Sequence, residues 1–260
     1  VTAPTDDHEF AAWLAEQAGA RLLEVRRTSG LEGRELKDAG DAAAQALMAE
    51  LLGLHRAHDA VLSEEARETH ADAGRLTAER VWIIDPLDGT REFSEPPRDD
   101  WAVHVALWSG GSLVAGAVAQ PALGETFHTG AAPVVPGLDE PDHRRGLPPR
   151  IAVSRSRPPA FVTALAEELG AELVPMGSAG VKMMSVVRDV ADAYVHAGGQ
   201  YEWDSAAPVA VAARAGLHTS RVDGSPLVYN RPDPYLPDVV VCRPALARPI
   251  LEFIERHGTD

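Results

Sequence analysis

The chain has 260 residues, 45% of them hydrophobic, and a formal charge of −15 at neutral pH. That is enough apolar chain for a sizeable core, too little basic surface to grip a nucleic-acid polymer, and no apolar run long enough to cross a bilayer, so neither a polymer nor a membrane is an expected partner. Cys242 is the only cysteine, which excludes an intramolecular disulfide and a cysteine-based zinc site. With a polar, acidic start in place of a secretory signal, a cytoplasmic location is expected.

Residues 7–27 place Phe10, Trp13, Leu14, Ala18, Leu22 and Val25 near a 3.6-residue period, and Asp6 with Glu9 forms a capping-box pattern, so a first helix is predicted. A second helix is predicted over 42–55, with Ala44, Leu47, Met48 and Leu51 on one face. Short strands follow at 60–62 and 81–84, then a hairpin over 103–120 broken by Ser109, Gly110, Gly111 and Ser112, and a strand over 125–129. Residues 130–149 are rich in Gly and Pro without a usable period and read as a linker or surface loop. Beyond them strands (151–153, 172–174, 193–196) alternate with helices (160–169, 179–188, and one following Asp204), and a strand at 239–242 and a helix at 246–256 close the chain. Residues 1–145 therefore read as helices on an antiparallel sheet, and 146–260 as an α/β half.

The most informative stretch is Asp85-Pro86-Leu87-Asp88-Gly89-Thr90, directly after the apolar run Val81-Trp82-Ile83-Ile84. Pro86 is expected to end that strand and Gly89 to permit a tight turn. Two carboxylates would then leave the strand end side by side, with amides just beyond: carboxylates suit hard divalent cations and oriented amides suit phosphate. Asp, Pro and Gly are also ordinary turn punctuation, but further acids sit at element ends. Glu64 and Glu65 follow the strand at 60–62, Asp41 opens the second helix in a catalytic role or as its N-cap, and Asp204 opens a later helix.

Taken in this order, from about Phe10 to Cys242, these segments resemble the lithium-sensitive, Mg²⁺-dependent phosphatases that include inositol monophosphatases, fructose-1,6-bisphosphatases and 3′(2′),5′-bisphosphate nucleotidases. The resemblance implies an α+β fold, a layered αβαβα sandwich, with two or three Mg²⁺ ions. It makes Glu64, Asp85, the Leu87 carbonyl, Asp88 and Asp204 metal ligands. Asp41, Thr90 and Glu64 take catalytic roles, the first two orienting the attacking water; Asp88, Gly89, Thr90 and Asp204 meet the phosphate. Glu65, alternating away from Glu64, is expected to be a polar neighbour.

Two further segments, Ser154-Arg155-Ser156-Arg157 and Gly177-Ser178 with Lys182, resemble the bacterial bisphosphate nucleotidase branch of actinobacterial type. Ser154, Arg155, Gly177, Ser178 and Lys182 are accordingly expected in the substrate pocket, and Arg157, before two prolines, outside it. Inositol monophosphatases usually carry a glutamate where this chain has Ala197, and alanine cannot accept a bond from an inositol hydroxyl. The expected substrate is thus a small phosphorylated molecule, adenosine 3′,5′-bisphosphate, losing its 3′-phosphate; a broad inositol or fructose-1,6-bisphosphate phosphatase is the alternative. The family makes a homodimer possible. His104 and His128 are expected to be structural, Asp99 and Asp100 to be loop acids, and Ser154 and Ser156, with no base beside them, are not nucleophiles.

Overall fold

Strand residues alternate between two cores, which defines the layers. In strand β2 (Arg80–Asp88), Trp82 and Ile84 join one buried cluster while Val81 and Ile83 join another. A strand covered on both faces must lie between layers. The computed structural model describes residues 2–64, 70–138 and 146–259.

The first sheet runs β1 (Ala60–Ser63), β2, β3 (Ala102–Ser109), β4 (Ser112–Gln120), β5 (Glu125–His128) in spatial order. Among the described residues of this sheet only the β1–β2 pair is parallel. Helices α1 (Asp7–Thr28) and α2 (Gly33–His55) cover its outer face, packing Phe10, Leu14, Leu22, Met48 and Leu52 on Trp82, Val105 and Leu107. The second sheet has the order β7 (Glu172–Met176), β6 (Arg150–Ser154), β8 (Ala193–Tyr201), β10 (Tyr235–Cys242), β9 (His218–Ser220). Helices α4 (Ala160–Leu169) and α7 (Pro244–His257) close its outer face with Phe161, Leu165, Ile250 and Phe253. Between the sheets lie α5 (Ala179–Val187) and α6 (Glu202–Arg214), whose Met183, Val186, Ala206 and Val211 share one core with both inner faces. The succession helix–sheet–helix–sheet–helix is the αβαβα sandwich.

Several boundaries differ from the sequence reading, each for a physical reason. Helix α2 begins nine residues before Ala42 because its buried stripe is Leu36, Gly40, Ala44, Met48 and Leu52, one residue per turn. Gly40 in that stripe is a contact, not a break: an added Cβ would meet Phe93 Cε1 at 2.6 Å and Leu87 Cδ2 at 3.1 Å. Strand β2 does not end at Pro86 but continues to Asp88 through a register shift, from Asp85 opposite His104 to Asp88 opposite Ala102. One extra residue on β2 makes this a bulge, where a proline lacking an N–H is tolerated. Strands β8 and β10 each run longer than their apolar runs, and β9 was not foreseen at all. The Gly/Pro-rich stretch is not purely surface loop, since Val135 is buried in the central core; residues 139–145, like Glu65, lie outside the described residues.

The start of β2 is tied down by charge. Arg80 donates from Nε to Asp59 and from its other two nitrogens to Asp7 at the start of α1, each at 3.0 Å, and Trp82 Nε1 donates to Asp59 at 2.8 Å. Asp59→Ala leaves the Trp82 indole without its acceptor inside the fold. A loss of about 1–3 kcal/mol in unfolding free energy is expected from urea denaturation.

Candidate active site

The bulge in β2 decides which way the two aspartates face. Residues three apart on a regular strand point to opposite sides. The extra residue restores phase, so Leu87 goes to the outer core while Asp85 and Asp88 stand opposite His104 and Ala102, which are two apart and share the inner face. Asp85 accepts the Leu87 N–H at 3.0 Å. Asp204, in the first turn of α6, points to the same place, its carboxylate accepting the Tyr201 N–H at 2.6 Å. Carboxylate oxygens of Asp85, Asp88 and Asp204 all lie within 4.8 Å of one another.

Three like charges this close and this buried demand a counter-charge, and their protonation behaviour says so. Asp85 is pushed well above the usual carboxylate range by burial and then by Asp88, Glu64 and Asp204. Asp204 is pushed up to about 6 by burial and by Asp88. Asp88 is different: burial works against its charge, but His104, Ser178 and the Gly180 amide together hold it down at about 2. Its Oδ2 accepts the Ser178 hydroxyl at 2.5 Å and the Gly180 N–H at 2.6 Å, its Oδ1 the Ala179 N–H at 3.2 Å, so it caps the start of α5. His104 Nε2 lies 3.2 Å from the same carboxylate, and its Nδ1 contacts the Trp203 carbonyl at 3.1 Å. Burial resists a charge on His104, yet Asp88 more than offsets this and raises its pKa. An oxygen-only donor set of this kind fits a hard divalent cation.

Glu64, immediately after β1, is exposed, and its charge reaches Asp85. Gly89 adopts the left-handed conformation (φ 85°) that glycine enters without strain, and it caps the start of the four-residue helix α3 (Thr90–Phe93), so only Gly89 separates Thr90 from Asp88. Asp41 is not an N-cap: it sits inside α2, beside the Gly40 contact with α3.

Asp88, Gly89 and Asp204 border a cavity of about 570 Å³ whose wall is completed by Ser154, Ser178, Lys182 and the β8 segment from Tyr194 to Tyr201. Lys182 is buried, its Nζ near the Gly177 carbonyl (3.4 Å) and 5.5 Å from the Tyr194 ring centroid. Burial lowers its pKa against the pull of Asp88, Glu92, Asp204 and Asp100. The expectation for the two arginines is reversed. Arg157 lines the cavity, whereas Arg155 is held by Glu92 and Glu95, two carboxylates on and after α3 that offer it a fixed double partner. Ser178 spends its hydroxyl on Asp88, and Gly177 gives its N–H to Asp100 at 2.7 Å.

Sequence reasoning missed His104, Glu92 and Asp100, and the glycine-bearing β8 wall. For His104 the signal was present: a histidine among Ala102 and Ala106, on the inner face of an apolar strand, needs a buried polar partner. Glu92 carries no local signal, since Arg155 comes from the other half of the chain, and the local Arg98 partner of Asp100 gives no hint of its Gly177 contact.

A profile described as the inositol monophosphatase family matches residues 8–254. A protein of Mycobacterium bovis named 3′-phosphoadenosine 5′-phosphate phosphatase is 51% identical over 247 residues, covering 90% of this chain and 87% of its own length. One of the same name from Mycobacterium leprae is 50% identical over 266 residues, covering 96% and 94%. Among solved structures, inositol monophosphatase II of Staphylococcus aureus shares the fold with a TM-score of 0.79 at 20% identity, over 96% of this chain and 93% of that one. With the match running through both sheets and all four carboxylate positions, the chain belongs to the inositol monophosphatase family.

Proposed function

We propose that the chain hydrolyses the 3′-phosphate of adenosine 3′,5′-bisphosphate to AMP and phosphate, using two or three Mg²⁺ ions. The observation that carries this reading is a carboxylate cluster bordering a cavity that also contains Lys182 and Arg157. A cluster of that kind handles one phosphate, and two cations on the cavity wall suit a second. The names and about 50% identity of the mycobacterial relatives support the same substrate.

Asp85, Asp88, Asp204, Glu64 and the Leu87 carbonyl are the groups that would hold the ions. When bound there, Mg²⁺ supplies Lewis acidity that acidifies an attacking water and offsets charge on the phosphoryl oxygens. The remaining steps belong to the chain's own residues. Thr90 accepts from the water and donates to Asp41, fixing the line of attack. The first amides of α3, at Gly89 and Thr90, have no partner inside the helix and receive phosphoryl oxygen. Water oxygen bonds to phosphorus, the bond to the ribose 3′ oxygen breaks, and that oxygen takes up a proton. Lys182, Arg157 and Ser154 hold the second phosphate. Ala197, on the cavity wall, offers no acceptor for an inositol hydroxyl.

Comparing kcat/KM for adenosine 3′,5′-bisphosphate and inositol 1-phosphate with Mg²⁺ tests the substrate. A preference of about tenfold or more for the nucleotide is expected, and equal rates or the reverse order would replace this reading with a broad monophosphatase. Asp88→Asn keeps an acceptor for the α5 amides but removes the charge, and is expected to lower kcat by about 10³-fold or more while circular dichroism stays unchanged. Titration gives a further check. The folded pKa of Asp204, about 6, exceeds its unfolded value of about 3.9, so without metal its contribution is present at low pH and lost as pH rises through 6. A cation reverses that loss. The rise in Tm on adding Mg²⁺ is therefore expected to be small at about pH 5, to grow towards about pH 7.5, and to shrink in Asp204→Asn.

A further inference from the structure

One arginine of the Ser154-Arg155-Ser156-Arg157 segment has no place in the cavity, and its surroundings give it another task. Arg155 follows β6 directly. Its Nε donates to Glu92 Oε1 and its terminal nitrogen to Glu95 Oε2, both at 2.6 Å, while Arg91 holds the other Glu95 oxygen at 3.1 Å. Its own N–H donates to the Met176 carbonyl at 3.1 Å, tying the ends of β6 and β7 together. Glu92 is buried and lies so close to Gly177 that a Cβ there would come within 2.2 Å of Glu92 Cγ. Beside it, Asp100 is paired with Arg98 and accepts the Gly177 N–H.

The segment that carries the Gly89–Thr90 turn is therefore fastened, through Arg155 and Gly177, to the end of β6 with Ser154 and Arg157 and to the start of α5 with Ser178 and Lys182. The first group meets the scissile phosphate; the second walls the far side of the cavity. Arg155 spends two guanidinium donors on these carboxylates and does not line the cavity, so the contacts set a distance between segments. We propose that Arg155 is a positioning residue that fixes the span between the phosphate-cleaving turn and the cavity wall holding the rest of the substrate.

The inference rests on the nucleotide reading above. A bisphosphate spanning both ends senses the span, whereas a small aryl monoester engages the cleaving end alone. The experiment measures kcat and KM of wild type, Arg155→Ala, Arg155→Lys, Glu92→Gln and the Arg155→Ala/Glu92→Gln double variant, with adenosine 3′,5′-bisphosphate and with p-nitrophenyl phosphate. For Arg155→Ala the nucleotide KM is expected to rise about tenfold with kcat changed by less than about threefold, and p-nitrophenyl phosphate kcat/KM to stay within about threefold. Arg155→Lys should recover part of the loss, and the double variant should be no worse than the single. Glu95→Gln, altering the more exposed partner, should shift the nucleotide KM in the same direction if Arg155→Ala does not fold. Equal losses on both substrates would overturn the proposal in favour of a merely structural ion pair. Additive losses in the double variant would overturn it in favour of direct contact between Arg155 and substrate. A wild type with no preference for the nucleotide overturns the substrate reading itself, while a preference untouched by Arg155→Ala overturns the positioning role alone.

Discussion

The site depends on one surplus residue in strand β2. Without it the strand's two-residue alternation would turn Asp88 outward among Leu87, Phe93 and the helices of the first layer, and only Asp85 would face α6. The bulge brings both carboxylates onto the inner face and lets Pro86 stand where no ladder N–H is required. Everything built around the site presupposes this phase: the α5 amides on Asp88, His104 across the strand pair, and Asp204 arriving from α6.

Given that phase, the sandwich concentrates negative charge between its layers and then treats the charges unequally. Asp88 is surrounded by donors from a helix start, a hydroxyl and a histidine, so its ionisation is supported by the fold. Asp85 and Asp204 have one amide each and mainly repel their neighbours. A cation held there would offset the repulsion at two of the carboxylates and join an already satisfied third. On the basic side of the cavity, Lys182 is buried, which lowers its pKa against the pull of the nearby acids, and Arg157 is more openly placed.

Much of this was readable from the chain. The apolar run before Asp85, the glycine after Asp88 and the separate acids at Glu64 and Asp204 were enough to suggest a cation site at strand ends, because each signal is local. Strand and helix periodicity pointed to helices on an antiparallel sheet followed by an α/β half, and the layered sandwich came from the family resemblance. What could not be read depends on contacts distant in sequence. The beginning of α2 was hidden because Gly40 looks like a break until Phe93 is placed against it. The bulge needs the register with β3, which no single strand reveals. Arg155 and Arg157 are chemically alike, and only Glu92 and Glu95, some 60 positions upstream in the chain, decide which of them is left for the cavity. Likewise Ser178 reads as a ligand residue in isolation, whereas its hydroxyl belongs to Asp88.

The two duties of Asp88 bear on how such a site would decay in a descendant freed from catalysis. Replacing Asp85 by a neutral residue relieves repulsion inside the sandwich, so drift at that position is favoured by stability alone. Replacing Asp88 by a residue without an acceptor uncaps α5 and strands His104 against an empty partner, so selection for folding would retain a capping residue there after its chemistry had lapsed. An aspartate or asparagine persisting there, beside a vanished Asp85, would be a relic of architecture and not a sign of surviving activity.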